Sequence, residues 1–149
     1  MAERSEAGAL YVPLTSDPSM QQARIPRTAE YDETIHKLRR LSEIPEGWDS
    51  YGGRAVPTGA RQQALRFIAS LLTHVDRDEQ PRAPAVGPIA DGGVLLRWLT
   101  DDSEIELAFF ESGGEYIVRQ RETGEVIDEG AIGRPESLLR DVFREYLAR

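Results

Sequence analysis

The feature that most constrains the fold is a change of hydrophobic period near residue 85. Before it, apolar residues recur at helical spacing; after it, residues 85–121 alternate apolar and polar side chains. Alternation with a period of two is typical of antiparallel strands that bury one face. Turn residues interrupt it at Asp91-Gly92, 100–103 and 111–114. The pattern therefore predicts an antiparallel meander of four or five strands, with Asp91-Gly92 as a two-residue hairpin turn.

Centring each turn predicts which residues face each other across neighbouring strands. Ile89 then faces Val94, Trp98 faces Ile105, and Phe109 faces Tyr116. One face of the sheet becomes entirely apolar or aromatic, so we expect helices to cover it. That face holds Ile89, Val94, Leu96, Trp98, Ile105, Leu107, Phe109, Tyr116 and Val118.

The opposite face mixes charged and apolar residues. The same registers put Arg97, Glu106 and Arg119 in one row. They also put Glu104 opposite Arg121, and such opposite-charge pairs favour the register. A face exposed only to water would be polar, whereas apolar patches rimmed by charge mark interaction sites. The apolar residues on this face are Leu95, Leu99, Phe110 and Ile117.

Three amphipathic segments flank the strands. Residues 29–43 predict a helix capped by Thr28, and residues 58–75 predict a second helix capped by Thr58. Residues 135–147 predict a C-terminal helix. We therefore expect an α+β fold: two N-terminal helices, the meander with a further strand near 125–131, and a C-terminal helix, all helices packed on one sheet face. The apolar stripe predicted for the second helix is Ala64, Leu65, Ile68, Ala69, Leu72 and Val75.

The domain boundary is predicted near residue 28. Residues 1–27 lack periodicity, so we expect a flexible arm, followed by a single domain over residues 28–149. Within the arm, residues 9–14 (ALYVPL) are apolar and β-prone. They could dock on their own domain or on another molecule, or form a chance cluster.

Composition excludes several classes of site. The chain has 149 residues, a net charge of −8 and no cysteine, which excludes a disulfide scaffold, a thiol nucleophile and a Cys-based zinc site. His36 and His74 lack metal-ligand spacing, so we expect no metal and no cofactor. Glu104 and Glu106 could pair as acid and base. Their predicted arginine partners favour the ionised carboxylate, the wrong form for a general acid, so we expect no enzymatic activity.

Location and partners follow from charge and hydropathy. No apolar run is long enough to span a membrane, and the first residues do not resemble a signal peptide, so we expect a cytoplasmic protein. Of 18 basic residues only Lys37 is lysine, which indicates a GC-rich bacterial genome. The acidic charge argues against nucleic-acid binding. The alternative is a nucleic-acid-associated regulator that uses the N-terminal basic residues Arg24, Arg27, Lys37, Arg39 and Arg40.

A turn-rich connector over residues 44–53 carries two aromatic residues. Trp48 and Tyr51 could form a recognition loop, since both residue types are frequent in binding hot spots. We favour the structural interpretation, in which they fill the gap between the first two helices and the sheet. Asp49 would then cap a local turn. A small-ligand site or an enzyme site near this loop is a further alternative.

Two motifs occur in a fixed order: residues 47–53 (GWDSYGG) and residues 91–98 (DGGVLLRW). Together they resemble a widespread group of small uncharacterised bacterial proteins. That group shares a W-D-G/S-Y-G loop and a later D-G-x-apolar-x-apolar-x-W strand. The likeness covers residues 41–147. It implies an accessory protein and carries no activity that can be transferred.

The function expected from these patterns is a non-catalytic protein-binding module. It would be an accessory, antitoxin-like or immunity-like partner of another bacterial protein, or would self-associate. An acidic protein is a natural partner for a basic target because their potentials are complementary. The predicted contact residues are Leu95, Arg97, Leu99, Glu106, Phe110, Ile117 and Arg119 on the sheet, with Trp48 and Tyr51 in the loop.

Overall fold

The computed structural model describes residues 27–147, with side chains from residue 29 onward. In this part of the chain two helices precede a five-stranded antiparallel sheet, and a helix follows it. The fold is α+β, as the hydrophobic periods predict. The predicted arm, including its apolar residues 9–14, lies outside the described residues except for Arg27.

Three helical elements cover the sheet. The last contains a turn of π-helix, in which the backbone hydrogen bonds span one extra residue. Their bounds are α1 Arg27–Arg40, continued by a 3₁₀ turn Leu41–Glu43; α2 Thr58–His74; and α3, which joins Pro135–Leu138, the π turn Leu139–Phe143 and Arg144–Tyr146.

Both predicted helix caps are wrong by one position or more. Helix α1 already begins at Arg27, so Thr28 lies within it. Helix α2 has Pro57 at its capping position, with no side-chain hydrogen bond, and Thr58 is its first helical residue. Proline fits this position because its extended backbone, with φ −67° and ψ 148°, leads directly into the first turn.

The five strands pair in chain order, so each strand contacts only its neighbours along the sequence. The last strand lies one residue beyond the predicted range of 125–131. The bounds are β1 Ala85–Ile89, β2 Gly93–Leu99, β3 Ser103–Phe110, β4 Gly113–Gln120 and β5 Val126–Ile132.

The register between β2 and β3 is confirmed, with Trp98 opposite Ile105. The register between β3 and β4 differs from the prediction, because Tyr116 pairs with Leu107 rather than with Phe109. The cause is the turn, which contains only two residues between the pair Phe110 and Gly113. The shift keeps every side chain on its predicted face, because each partner moves by two residues.

The register between β1 and β2 also differs, and here the face changes. Ile89 pairs with Gly93 instead of Val94, which makes a three-residue turn. In this turn Gly92 has a φ of 94°, and its amide donates to the Ile89 carbonyl at 2.9 Å. Ile89 therefore lies on the face away from the helices. Val86, opposite Leu96, takes its place beside the core.

The core lies between the sheet and the three helices. At its centre Phe67 of α2 contacts both Trp98 and Phe109 of the sheet. Most of the stripe predicted for α2 faces the core: Ala64 and Ile68 are buried, and Leu65, Leu72 and Val75 pack against the core. Ala69 is exposed instead, while Phe67 and Leu71, which the prediction omitted, are fully buried.

Helix α1 is fastened to the segment that leads into β1. The Tyr31 hydroxyl donates to the Pro81 carbonyl at 3.0 Å. The Glu30 carboxylate accepts from the Arg82 guanidinium and from the Ala83 amide, each at 3.2 Å. These contacts hold α1 beside the first strand of the sheet.

Candidate protein-binding surface

The sheet face opposite the core is the outer face, and no helix in residues 27–147 covers it. The buried apolar residues of α1, α2 and α3 all belong to one cluster on the other side. On the outer face Leu95, Phe110 and Ile117 are half-buried, and Leu99 is 56% exposed. All four apolar residues expected on this face are there.

Two arginine–glutamate pairs cross the outer face diagonally. Arg119 Nη1 lies 2.6 Å from Glu106 Oε1, and Arg97 Nη1 lies 3.3 Å from Glu104 Oε2. The predicted row of Arg97, Glu106 and Arg119 is wrong, because the shifted register places Ile117 opposite Glu106. The charges therefore interleave with apolar side chains.

Arg121 does not face Glu104 as predicted. Its guanidinium donates to the Thr100 carbonyl at 2.7 Å, and its amide donates to Asp102. Arg119 takes the position opposite Glu104. Arg121 thus closes the turn between β2 and β3 at the edge of the outer face.

Phe110 is held at one end of the outer face. Its ring lies against Gly93, where an added Cβ would come within 2.8 Å of two ring carbons. Its carbonyl accepts a hydrogen bond from Gln63 Nε2 of α2 at 2.6 Å. The missing side chain at Gly93 therefore leaves the space that the Phe110 ring occupies.

The connector loop is closed by its own hydrogen bonds. Asp49 Oδ1 accepts from the amides of Tyr51 at 2.9 Å and Gly53 at 2.7 Å, which confirms the local turn predicted for Asp49. These bonds favour the ionised carboxylate and lower the pKa of Asp49. The indole of Trp48 donates to the Arg54 carbonyl at 3.0 Å. Ser50 adopts a φ of 65°, which is uncommon for a residue with a side chain.

Tyr51 does not fill a gap between helices and sheet. Its side chain is 93% exposed at the tip of the loop, while Trp48 is half-buried against the loop itself. The favoured interpretation is therefore wrong for Tyr51. What the loop does is present an exposed aromatic ring on a backbone that is already ordered.

An open groove of about 510 Å³ separates the loop from the nearby end of the sheet. Phe110 forms part of its apolar lining, and Arg54 and Glu111 contribute opposite charges. This groove lies where a small-ligand site was considered. A smaller cleft of about 260 Å³ lies between α2 and α3 beside His74 and Phe143.

The other candidate residues do not converge on a site. Lys37, Arg39 and Arg40 lie exposed in the last turn of α1, and Arg40 pairs with Glu43 at 3.6 Å. Arg24 lies outside the described residues. His74 contacts the Ser70 carbonyl of its own helix.

The described residues contain neither a candidate metal cluster nor a helix that could span a membrane. Among residues 27–147, no three His, Asp or Glu side chains stand close enough to hold a metal ion. In the same range, no helix combines the length and apolar character that crossing a membrane demands.

Strand β5 is a surface that the sequence patterns did not single out. Its Val126 and Ile127 are 42% and 46% exposed. On the helix side, the hydroxyls of Tyr116 and Tyr146 donate to the two oxygens of Asp128 at 3.2 and 3.3 Å. Burial, and then the Asp128 carboxylate, raise the pKa of Tyr116. The sequence signal for this surface is the run from residue 122 to 133, which contains acidic residues and no lysine or arginine.

Comparison with known proteins adds no relative. The chain matches no protein-family model, and neither curated proteins nor solved structures give a significant match. The resemblance in the two sequence motifs remains a prediction.

Proposed function

We propose that this protein is a non-catalytic binding module that recognises another protein through the outer face of its sheet. The observation that carries the proposal is the combination of four large apolar side chains with two arginine–glutamate pairs on a face that no described helix covers. A sheet face in contact with water alone is normally polar. Apolar groups rimmed by charge are typical of interaction surfaces.

The net charge of −8 supports a partner of opposite charge. An accessory, antitoxin-like or immunity-like role fits this, because acidic partners accelerate association with basic targets through electrostatic steering. The ordered loop with Tyr51 at its tip would add a second contact. An aromatic ring on an ordered backbone costs little conformational entropy on binding.

The experiment is a pair of substitutions on the outer face, Phe110→Ser with Ile117→Ser. The partner is first isolated from the native host and purified, and its affinity is then measured by calorimetry. We expect the double variant to fold and to bind at least about 30-fold more weakly, equivalent to about 2 kcal/mol. Ala69→Ser, on the exposed side of α2, is the control and should bind normally.

Leu99→Ser is the second variant, because Leu99 is more than half exposed and its loss should not affect folding. It should also weaken binding. Unchanged affinity in both the double variant and Leu99→Ser would overturn the proposal, as would a partner bound only through the helices.

A small-ligand site is the second candidate, and the groove beside the connector loop favours it. Clefts of a few hundred Å³ that combine apolar lining with a few polar groups are the usual ligand sites. A fragment screen by NMR tests this: shifts clustered at Arg54, Phe110 and Glu111 would support a ligand site. Shifts scattered over the surface would count against it.

A further inference from the structure

Strand β5 has one neighbour within the described residues. It pairs with β4 on one side, and no described strand pairs with its other side. The opposite edge strand, β1, contains Pro88, which has no amide hydrogen and discourages further pairing. Helix α1 also lies beside β1. The two edges of the sheet therefore differ, and among the described residues the β5 edge is the one that no other element covers.

The backbone of β5 shows which groups point outward. The Arg121 amide donates towards β3, to Asp102, whereas the Gln120 amide donates towards β5, to Glu125. Hydrogen bonding alternates along a strand, so the even-numbered residues of β4 bond to β5. Val118 pairs with Asp128, and Tyr116 and Gly114 pair with Gly130 and Ile132 in the same register, which shifts by one residue between Val118 and Arg119. The amides and carbonyls of Glu129 and Ala131 consequently face away from the sheet.

The side chains along this edge define the charge of an occupant. Residues 122–133 contain four acids and no lysine or arginine. The Asp128 oxygens accept from two tyrosine hydroxyls on the helix side, while Glu129 lies on the outer face opposite Ile117. Exposed Ile127 adds apolar surface beside them.

We propose that the β5 edge binds, by strand addition, an extended segment of a partner protein in which Lys or Arg alternates with apolar residues. Main-chain hydrogen bonds to Glu129 and Ala131 would supply affinity. Basic side chains would lie beside Glu129 on the outer face, and the alternate apolar ones would lie on the helix side, where Ile127 lines a cleft with Tyr146. The proposal goes beyond the proposed function: it also requires a protein partner, but the contacts are main-chain hydrogen bonds at the β5 edge.

A second copy of this chain is a poor occupant for the same edge. Pairing two β5 strands would bring together two acidic segments without a compensating base. Like charges placed opposite each other destabilise a sheet. Charge complementarity therefore selects a basic partner.

The experiment uses the full chain and a synthetic peptide of alternating lysine and valine, acetylated and amidated. We expect saturable binding by calorimetry and slower amide exchange at Glu129 and Ala131. The matched control is the same peptide with alternate amides N-methylated, which keeps its charge and side chains but cannot complete the ladder. It should bind at least about tenfold more weakly.

Two variants complete the test. Ala131→Pro removes an outward amide hydrogen and should abolish binding, whereas Ala131→Ser keeps that hydrogen and should bind normally. If Ala131→Pro does not fold, the comparison of the two peptides decides. Equal binding of both peptides, binding of neither, or a dimer of the free protein by light scattering would overturn the proposal.

The outer-face variant separates the two proposals. Leu99→Ser alters β2, which two strands separate from β5, so this variant should still bind the lysine–valine peptide. Loss of peptide binding in this folded variant would overturn the edge proposal. Failure of the peptide with the unmodified chain would leave the outer-face proposal standing.

Discussion

The rings of Trp98 and Phe143 meet edge to face, with centroids 4.9 Å apart and planes inclined by 82°. This geometry directs the positive edge of one ring at the negative face of the other. It joins the second strand of the sheet to the π turn of α3. Phe67 of α2 contacts both rings, so three elements distant in sequence share one aromatic cluster.

Truncation of Trp98 should be strongly destabilising. The side chain is only 2% exposed, and Trp98→Ala leaves a cavity among aromatic neighbours. We expect a loss of about 3–5 kcal/mol in the free energy of unfolding, measured in urea. Trp98→Phe should lose less, because the indole Nε1 has no acceptor among the described residues. Equal losses in the two variants would contradict this account.

The Asp49 carboxylate should make the connector loop sensitive to acid. Its amide donors lower the pKa below the ordinary value of 3.8. The stabilisation is therefore complete above pH 3.8 and is lost as the pH falls through the lower, folded-state pKa. Carbon NMR should show Asp49 titrating below pH 3.8, while amide exchange at Gly53 accelerates over the same range. In Asp49→Asn that pH-dependent step should be absent.

Gly53 should not tolerate a side chain. An added Cβ would lie 2.6 Å from Asp49 Oδ1 and 2.8 Å from Trp48 Nε1. We expect Gly53→Ala to cost about 1–3 kcal/mol, as overpacking does, measured by thermal unfolding. Gly133→Ala is the control, because nothing lies within 4 Å of its added carbon. A similar stability of the two variants would show that the loop adjusts.

The Arg119–Glu106 pair should couple measurably but weakly. The two side chains are 32% and 22% exposed, so water screens their attraction. A double-mutant cycle to alanine should give about 0.2–1 kcal/mol, decreasing in high salt. The Arg140–Asp141 pair, with both side chains 64% exposed, should give less. The opposite ranking would contradict the role of partial burial.

The strand pattern predicted the faces of β2, β3 and β4 correctly because a change of two residues in a turn keeps each side chain on its face. Shortening the turn between β3 and β4 left Tyr116 and Val118 facing the helices. The turn before β2 behaved differently, since adding one residue moved Ile89 to the other face. A sequence with Asp91 followed by two glycines permits both turn lengths, and only the hydrogen bond to Ile89 distinguishes them.

The candidate surface was predicted in part for a related reason. The predicted positions of Leu95 and Phe110 are correct because they depend only on which face of the sheet a residue occupies. The diagonal charge pairs depend on register and side-chain reach, which spacing does not define. Tyr51 was misplaced because loop hydrogen bonds, including those to Asp49, direct the ring outward. Local hydrogen bonds, rather than hydrophobicity, determine where the side chains of such a loop point.

The order of strands has a consequence for how the chain folds. Every ladder joins consecutive strands, so the sheet can grow by successive hairpins with short loop closures. The contact between Phe67 and Phe143, whose ring centroids lie 5.2 Å apart, instead spans the entire meander. Closing this long loop costs more chain entropy than closing a hairpin, and the cost precedes any gain from the contact. We therefore expect the C-terminal helix to dock late, onto a sheet whose strands have already paired.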